Sequence, residues 1–489
     1  MSDKYLPEGW ELVCGLEVHC ELSTATKLFC GCRNRFGDEP NTNVCPVCLG
    51  LPGSLPVLNA QAVESAMKLG RALHCTVNGA EFSRKNYFYP DMPKDYQISQ
   101  YDLPVCVGGH LEIDVDGTRR RIGITRVHME EDTGKTTHAG ASGRIGQAEY
   151  ALVDYNRAGV PLVEIVSEPD LRSPEEARAY FAELRSTLEA LGVSDVRMEE
   201  GSMRCDANVS TRRPGEEAFG TKVEIKNLNS IRSLERALRF EEERQRNALD
   251  AGQTLVQETR HFEEGKGTTH TLRSKEEAFD YRYFPEPDLP PLAPERAWVE
   301  EVRTDLPELP GARRARFVAE LGVSADQART LTHSGATAAF FEETVALGAT
   351  PSAAANWITQ DLAGLLNTAR AELPDSKVTP RHVVDLIRLV GDGTISATGA
   401  KALLEEAFET GEPADAIVER RGLRQVTDTS ALEEWVDEAI AQNPEPVEHF
   451  RAGKAGALNA ILGQVMKRSG GSANPRVVRE LLLERLSSS

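Results

Sequence analysis

The stretch GLEVHCEL, Gly15 to Leu22, places Leu16, Val18, Cys20 and Leu22 at every second position, with Glu17, His19 and Glu21 between them. Side chains on a β-strand alternate between its faces, so the two sets point to opposite sides, neighbours on one side lying about 7 Å apart. Three further runs repeat the pattern. In RVHMEED (126–132), Val127 and Met129 oppose His128 and Glu130, with Glu131 and Asp132 following; in MRCDANVS (203–210), Met203, Cys205, Ala207 and Val209 oppose Arg204, Asp206, Asn208 and Ser210. In KVEIKN (222–227), Val223 and Ile225 oppose Lys222, Glu224 and Lys226. One apolar and one polar face is the ordinary sign of an antiparallel sheet with one side solvated, and each run alone says no more. Together they say more, because the polar face holds Glu, His, Asp and Asn rather than a random set of Lys, Thr and Gln. Hard oxygen donors with an imidazole suit Mg²⁺ or Mn²⁺ beside a nucleotide phosphate, and interspersed Lys and Arg suit the phosphate oxygens.

The rest of the chain is organised around this region. At 489 residues it exceeds one core, and two to four domains are expected. Up to about residue 297 the pattern mixes short strands with a few helices. One helix is predicted from N-cap Ser173, with Pro174 first, Glu176 completing a capping box and Gly192 ending it; a second spans Ile231 to Leu249. The proline-rich YFPEPDLPPLAPE (283–295) reads as a domain exit, after which strand signals nearly vanish. Two all-helical pieces follow, residues 298–408 and 409–489, dividing near FETGEP (408–413). The fold class is therefore α+β, mainly antiparallel, followed by all-α segments.

No GxxxxGK[ST] is present and no GxGxxG follows a strand, so a bound ATP would lie on the sheet rather than on a phosphate loop. The run FSRKNYFYPDMPKDYQISQYDLP (82–104) carries Arg84, Lys85 and Lys94 among six aromatic residues and reads either as a packed surface loop or as a cover for a nucleotide or for an acylated RNA end. No apolar run approaches the ~20 residues that span a bilayer, and MSDKYLPEGWELV lacks a signal-peptide pattern, which predicts a cytoplasmic protein with no membrane partner.

These blocks, with RIGITRVHMEEDTGK, VDYNRAGVPLVEIVSEPD, QETRHF and DYRYFPEPDLPPL, resemble the B-subunit family, GatB, of tRNA-dependent amidotransferases; GKAGALNAILGQVMKRSGGSANPRVVRELL resembles the family's YqeY-like tail. The resemblance covers almost the whole chain. It implies a cradle domain related to the glutamine synthetase and guanidino kinase sheet, a helical domain, and a small tail that binds tRNA. It also implies a reaction: ATP phosphorylates the side-chain carboxylate of Glu or Asp misacylated on tRNA(Gln) or tRNA(Asn), and ammonia displaces the phosphate.

The resemblance assigns the catalytic Mg²⁺ to His19, Glu131 and Glu258, with Glu17 and Glu130 beside them for a second metal. Alternation puts Glu131 opposite Glu130, so a bulge or strand end must turn it inward. Glu258 carries no signal of its own. Arg84, Lys85, Lys94, Asp206, Asn208, Glu224 and Lys226 are nucleotide or phosphate candidates, the last four by face logic, with a purely structural polar role as the alternative. No glutaminase cysteine motif or Ser-rich amidase signature is present, so ammonia must come from another chain; the resemblance implies the amidase GatA, tied on by GatC, and allows a non-discriminating synthetase as a further partner.

The stretch FCGCRNRFGDEPNTNVCPVC (29–48) sets Cys30, Cys32, Cys45 and Cys48 in the C-x-C, C-x-x-C spacing of a closed four-thiolate zinc site, expected to be structural because no ligand position stays open. Nine cysteines and no export signal argue against a disulfide framework. A net charge of −20 opposes nucleic acid binding in general, but from His449 onward seven Lys/Arg face two Glu, a local +5. Lys454, Lys467, Arg468 and Arg476 are the tRNA candidates. Two rival readings are a non-catalytic RNA-binding module, which leaves the acidic face unexplained, and a zinc hydrolase, which requires an open metal position.

Overall fold

The structure, a computed structural model, describes residues 9–139, 148–198, 200–274, 280–425, 429–454, 456–469 and 473–487. The chain forms two compact units, Met1–Ala312 and Arg313–Ser489.

The first unit is built on strands β1 (Glu11–Glu21), β2 (Thr76–Val77), β3 (Ser83–Asn86), β4 (Tyr96–Ser99), β5 (Cys106–Val115), β6 (Thr118–Glu131), β7 (Lys135–Ala139), β8 (Tyr150–Asp154), β9 (Pro161–Ser167), β10 (Met203–Arg212), β11 (Val223–Leu228), β12 (Glu258–Glu263), β13 (Thr268–Ser274) and β14 (Phe284–Pro285). Its helices are α1 (Ala60–Ala72), α2 (Pro174–Leu191), α3 (Ile231–Asp250) and α4 (Arg296–Thr304). Among the described residues one large sheet runs β13-β12-β11-β10-β1-β9-β6-β4-β3-β14, with β5 on β6 and β2 on β5; β7 and β8 form a separate hairpin. The pairs are antiparallel except β11 with β12. The chain is thus mixed α+β, as expected.

All four alternating runs form strands, and their apolar halves make the core. Leu12, Cys14, Leu16, Val18 and Cys20 of β1 are fully buried under helices, and α2 answers with Ala177, Phe181, Leu184 and Leu188 at helical spacing. Removing such a side chain costs about 2–5 kcal/mol. The N-terminus of α2 follows its sequence signal with one change. Ser173 Oγ accepts from Glu176 N at 3.1 Å, but the Glu176 carboxylate reaches back to Arg172 N at 2.8 Å, one residue before the cap. Gly192 ends the helix at φ 64°, a left-handed conformation that favours glycine. Beyond the proline-rich exit, α4 still packs Val302 into this core, past the expected division at residue 297.

In the second unit the described residues contain helices and no strand. One core runs from Phe317 to Val418, with Phe317 and Phe341 edge to face at 4.9 Å, and another from Leu432 to Leu486. The helix 414–421 contributes Ile417 and Val418 to the earlier core, so FETGEP is a corner within that core.

Candidate active site

Strand register builds the site. β1, β9 and β6 lie side by side, with His19 opposite Glu164 and Glu164 opposite His128, so three strands place three polar side chains in one row on the face away from the helices. His19 Nε2 lies 3.3 Å from Glu164 Oε2 and 3.6 Å from Glu130 Oε1; His128 Nε2 lies 3.4 Å from Glu164 Oε2. Arg126 Nε donates to His128 Nδ1 at 3.2 Å, which leaves the His128 proton on Nε2, facing Glu164. Ser99 Oγ donates to Glu130 Oε2 at 3.4 Å. His19 Nδ1 is buried without a hydrogen-bond partner.

Burial opposes charge on Glu164, but the two imidazoles outweigh it and hold the carboxyl far below its usual range. Burial likewise pulls His19 down, and the bond to Glu164 with the Glu130 charge more than reverses it, so the imidazole is raised. Glu17 is raised, first by burial and then by Glu164, although Asn208 Nδ2 donates to its Oε1 at 2.7 Å. Ligand atoms of His19, Glu130 and Glu164 all lie within 4.8 Å of one another, a two-carboxylate, one-imidazole set that fits a hard divalent cation.

On the same face, Lys226 Nζ joins Asp206 at 2.6 Å and Glu224 at 2.8 Å, and Thr259 Oγ1 donates to Glu224 at 2.9 Å. Asn208, Asp206, Glu224 and Lys226 are therefore gathered as face logic expected. Toward the other end of β1, Arg204 and Arg157 flank buried Asp132 at 3.4 and 3.5 Å. Burial and the Asp132 charge push Glu21 up to about 8.

Glu131 and Glu258 are not brought to His19. The β6–β9 register runs unshifted through Glu131 opposite Pro161, its irregularity falling between Ile124 and Arg126, so no bulge turns Glu131 toward Glu130. Its carboxylate instead binds Lys94 Nζ and accepts from Ile98 N at 2.9 Å, in a cavity lined also by Cys30, Cys48 and Gly159. Glu258 sits on the helix-covered side of β12, bonded to Arg260 at 2.7 Å and Thr271 at 2.6 Å, with Arg244 of α3 at 3.7 Å. Among the basic candidates, Lys94 is committed to Glu131. Arg84 is committed to Glu286 at 2.7 and 2.9 Å and to Asp288 at 3.1 Å, and lies over the Tyr96 ring. Lys85 lies 4.9 Å over the ring of Tyr281.

The four cysteines converge, all four sulfurs within 4.8 Å of one another. Cys45 and Cys48 Sγ are 3.9 Å apart, close to the about 3.8 Å edge of a tetrahedron with ~2.3 Å zinc–sulfur bonds. Cys48 is brought down to about 5, first by the hydrogen bond from Cys30; burial opposes, and the Cys45 amide at 3.1 Å and the Lys27 ammonium at 3.8 Å assist. The donors fit a thiolate-bound metal. In the second unit Lys454, Lys467, Arg468 and Arg476 are exposed near the last core, Arg468 pairing with Glu438.

Sequence reasoning missed Glu164 and gave His128 no role. The signal for Glu164 is a lone carboxylate inside the apolar run PLVEIV, where a buried strand has no other use for charge.

Comparison with known proteins gives the family. The GatB/GatE catalytic domain family matches residues 12–300, and a second family, described as the GatB domain, matches residues 339–486. The B-subunit of aspartyl/glutamyl-tRNA(Asn/Gln) amidotransferase from Moorella thermoacetica is 54% identical over 478 residues, covering 98% of this chain and 100% of its own. Proteins of the same name from Carboxydothermus hydrogenoformans and Frankia casuarinae are 51% and 54% identical, each over 98% of this chain and over 99% and 96% of their own lengths. The chain belongs to the GatB family, and the match to its catalytic domain covers the strand residues that carry His19, Glu130 and Glu164.

Proposed function

We propose that this chain is the phosphorylating and amidating subunit of a glutamine-dependent tRNA amidotransferase, a carbon–nitrogen ligase acting on Glu-tRNA(Gln), Asp-tRNA(Asn) or both. The observation that carries the reading is the His19–Glu130–Glu164 cluster on the open sheet face, flanked by Lys226 with its two carboxylates. Phosphoryl transfer from ATP to a carboxylate asks the protein for positioning and charge neutralisation rather than covalent chemistry. A Mg²⁺ ion held by His19, Glu130 and Glu164 would neutralise charge on the transferring phosphoryl group. His128, its tautomer fixed by Arg126, holds Glu164 in place, and the Glu17–Asn208 pair borders the space where the substrate carboxylate would lie. Ammonia then attacks the acyl phosphate carbonyl and phosphate leaves, giving the amide.

The sheet unit serves as the cradle, and the last helical core, from Leu432 to Leu486, as the YqeY-like, tRNA-binding tail through Lys454, Lys467, Arg468 and Arg476. Zinc on Cys30, Cys32, Cys45 and Cys48 is structural, stapling the loop that leaves β1. GatA and GatC complete a cytoplasmic heterotrimer, GatA supplying ammonia from glutamine.

The test is reconstitution. With GatA, GatC, ATP, Mg²⁺ and glutamine, the complex should convert Glu-tRNA(Gln) or Asp-tRNA(Asn) to the amide with stoichiometric ADP. Amide without ADP, or neither product, refutes the reading.

A further inference from the structure

The sheet face that carries the carboxylate–imidazole cluster continues toward the β14 edge, and there its character changes from charged to aromatic. Tyr101 and Tyr283 stack with centroids 4.1 Å apart and planes 9° from parallel, and Tyr281 meets Tyr283 edge-on at 6.1 Å. This group borders the cluster. Tyr101 lies two residues beyond Ser99, whose hydroxyl binds Glu130, and the charges of Glu130 and Glu164 reach the Tyr283 hydroxyl. Tyr283 is half-buried against its neighbours, whereas Tyr101 is 54% exposed, so the outer face of the Tyr101 ring is turned to solvent. Isolated exposed aromatics are common and need no explanation. A pre-stacked pair at the rim of a phosphoryl-transfer cluster is different, because it holds one ring rigidly with its other π-face open, which is how proteins receive an unpaired base. Lys85, over the Tyr281 ring, adds a cation on the cluster side for a backbone or ribose-linked phosphate.

We propose that Tyr101, backed by Tyr283, is the stacking platform for an adenine base whose attached group reaches the His19–Glu130–Glu164 cluster. The inference rests on the proposed function, in which two substrates carry that ring: ATP, and the 3′-terminal adenosine that bears the amino acid. Either fits the geometry, since each places its reacting phosphoryl or acyl end several bonds from the base.

The experiment measures steady-state amidation by the assembled complex, varying ATP and misacylated tRNA separately, for the wild type, Tyr101→Ala and Tyr101→Phe. Stacking of this kind is worth about a 5- to 150-fold change in affinity. Tyr101→Ala should raise the KM of one substrate by that factor with kcat within about threefold, and Tyr101→Phe should restore it. A rise confined to ATP assigns the nucleotide's adenine; a rise confined to the tRNA assigns its terminal adenosine. Unchanged KM values, an equal loss in Tyr101→Phe, or a loss of kcat alone overturns the platform. Wild-type ADP and amide formation is scored in the same assay, so failure of the functional reading shows there and failure of the platform shows only in the variants.

Discussion

Glu164→Gln separates the charge of the central carboxylate from its shape. Glu164 lies 3.3 Å from His19 Nε2 and 3.4 Å from His128 Nε2. At an effective dielectric of about 20, the contact with a protonated His19 is worth roughly 5 kcal/mol gross, while neutral His128 adds a hydrogen bond from Nε2. Burying the carboxylate costs several kcal/mol in return, so a net of about 2–3 kcal/mol is expected, in line with hydrogen bonds to charged groups. The pH window follows from the directions of the two shifts. Glu164 is depressed, so its contribution is present above the ordinary Glu range near 4.3 and is lost as pH falls through its folded value. His19 is raised, so its contribution is complete below about 6.5 and is lost as pH rises through its folded value. The stability gap between wild type and Glu164→Gln should therefore be largest near pH 5.5 and shrink above neutrality, read by thermal unfolding as several degrees against a smaller difference. In the assembled complex the same substitution should lower amidation at least about 100-fold while glutaminase activity persists. A gap that does not change with pH, or full amidation at ordinary Mg²⁺, refutes the reasoning.

Replacing Cys45 by Ser should remove a zinc equivalent measured by atomic absorption and lower the unfolding temperature, because a structural site contributes binding energy directly to folding; retained zinc would mean that the thiolates are not its ligands. Arg84→Met strands Glu286, whose side chain is fully buried, and should cost about 3–5 kcal/mol in chemical denaturation, most of it recovered in Arg84→Met with Glu286→Leu; a double variant no better than the single one would show that the pair does not act as a unit. Reversing charge at Lys467 and Arg476 should weaken tRNA binding about tenfold at fixed salt and leave the KM for ATP unchanged; unaltered affinity removes the tail from the tRNA site.

The polar face was legible because strand alternation is strict: Glu17, His19, Glu130, Asp206, Asn208, Glu224 and Lys226 all follow from period two once the four runs are taken as one sheet. What alternation cannot supply is the order of strands. Glu164 becomes the centre of the cluster only because β9 lies between β1 and β6, a pairing across more than a hundred residues that no local pattern encodes. The tyrosine stack has the same origin, since Tyr101 and Tyr283 meet only through β14 adding to the β3 edge. Local signals did well where the physics is local: the start and end of α2 and the convergence of the four cysteines. They did less well at FETGEP, where a helix end and a proline mark a corner, and only the packing of Ile417 and Val418 shows that the core continues.

The position of Glu131 and Glu258 bears on which residues hold the cation. For Glu131 to reach His19, its bond to Lys94 must break; both side chains are under a tenth exposed, and leaving such a charge unpaired costs about 3–5 kcal/mol. Glu258 faces the helices, where Arg260, Arg244 and Thr271 already occupy it, and no rotamer change carries a side chain through a sheet. His19, Glu130 and Glu164 need no rearrangement at all. The magnesium requirement distinguishes the two ligand sets. Glu164→Gln should raise the Mg²⁺ concentration for half-maximal ADP formation by at least about tenfold, whereas Glu258→Gln, which relaxes only a charge network beside α3, should change it less than about threefold. If Glu258→Gln has the larger effect, the cation lies elsewhere, and β12 must move relative to β1 for the reaction to proceed.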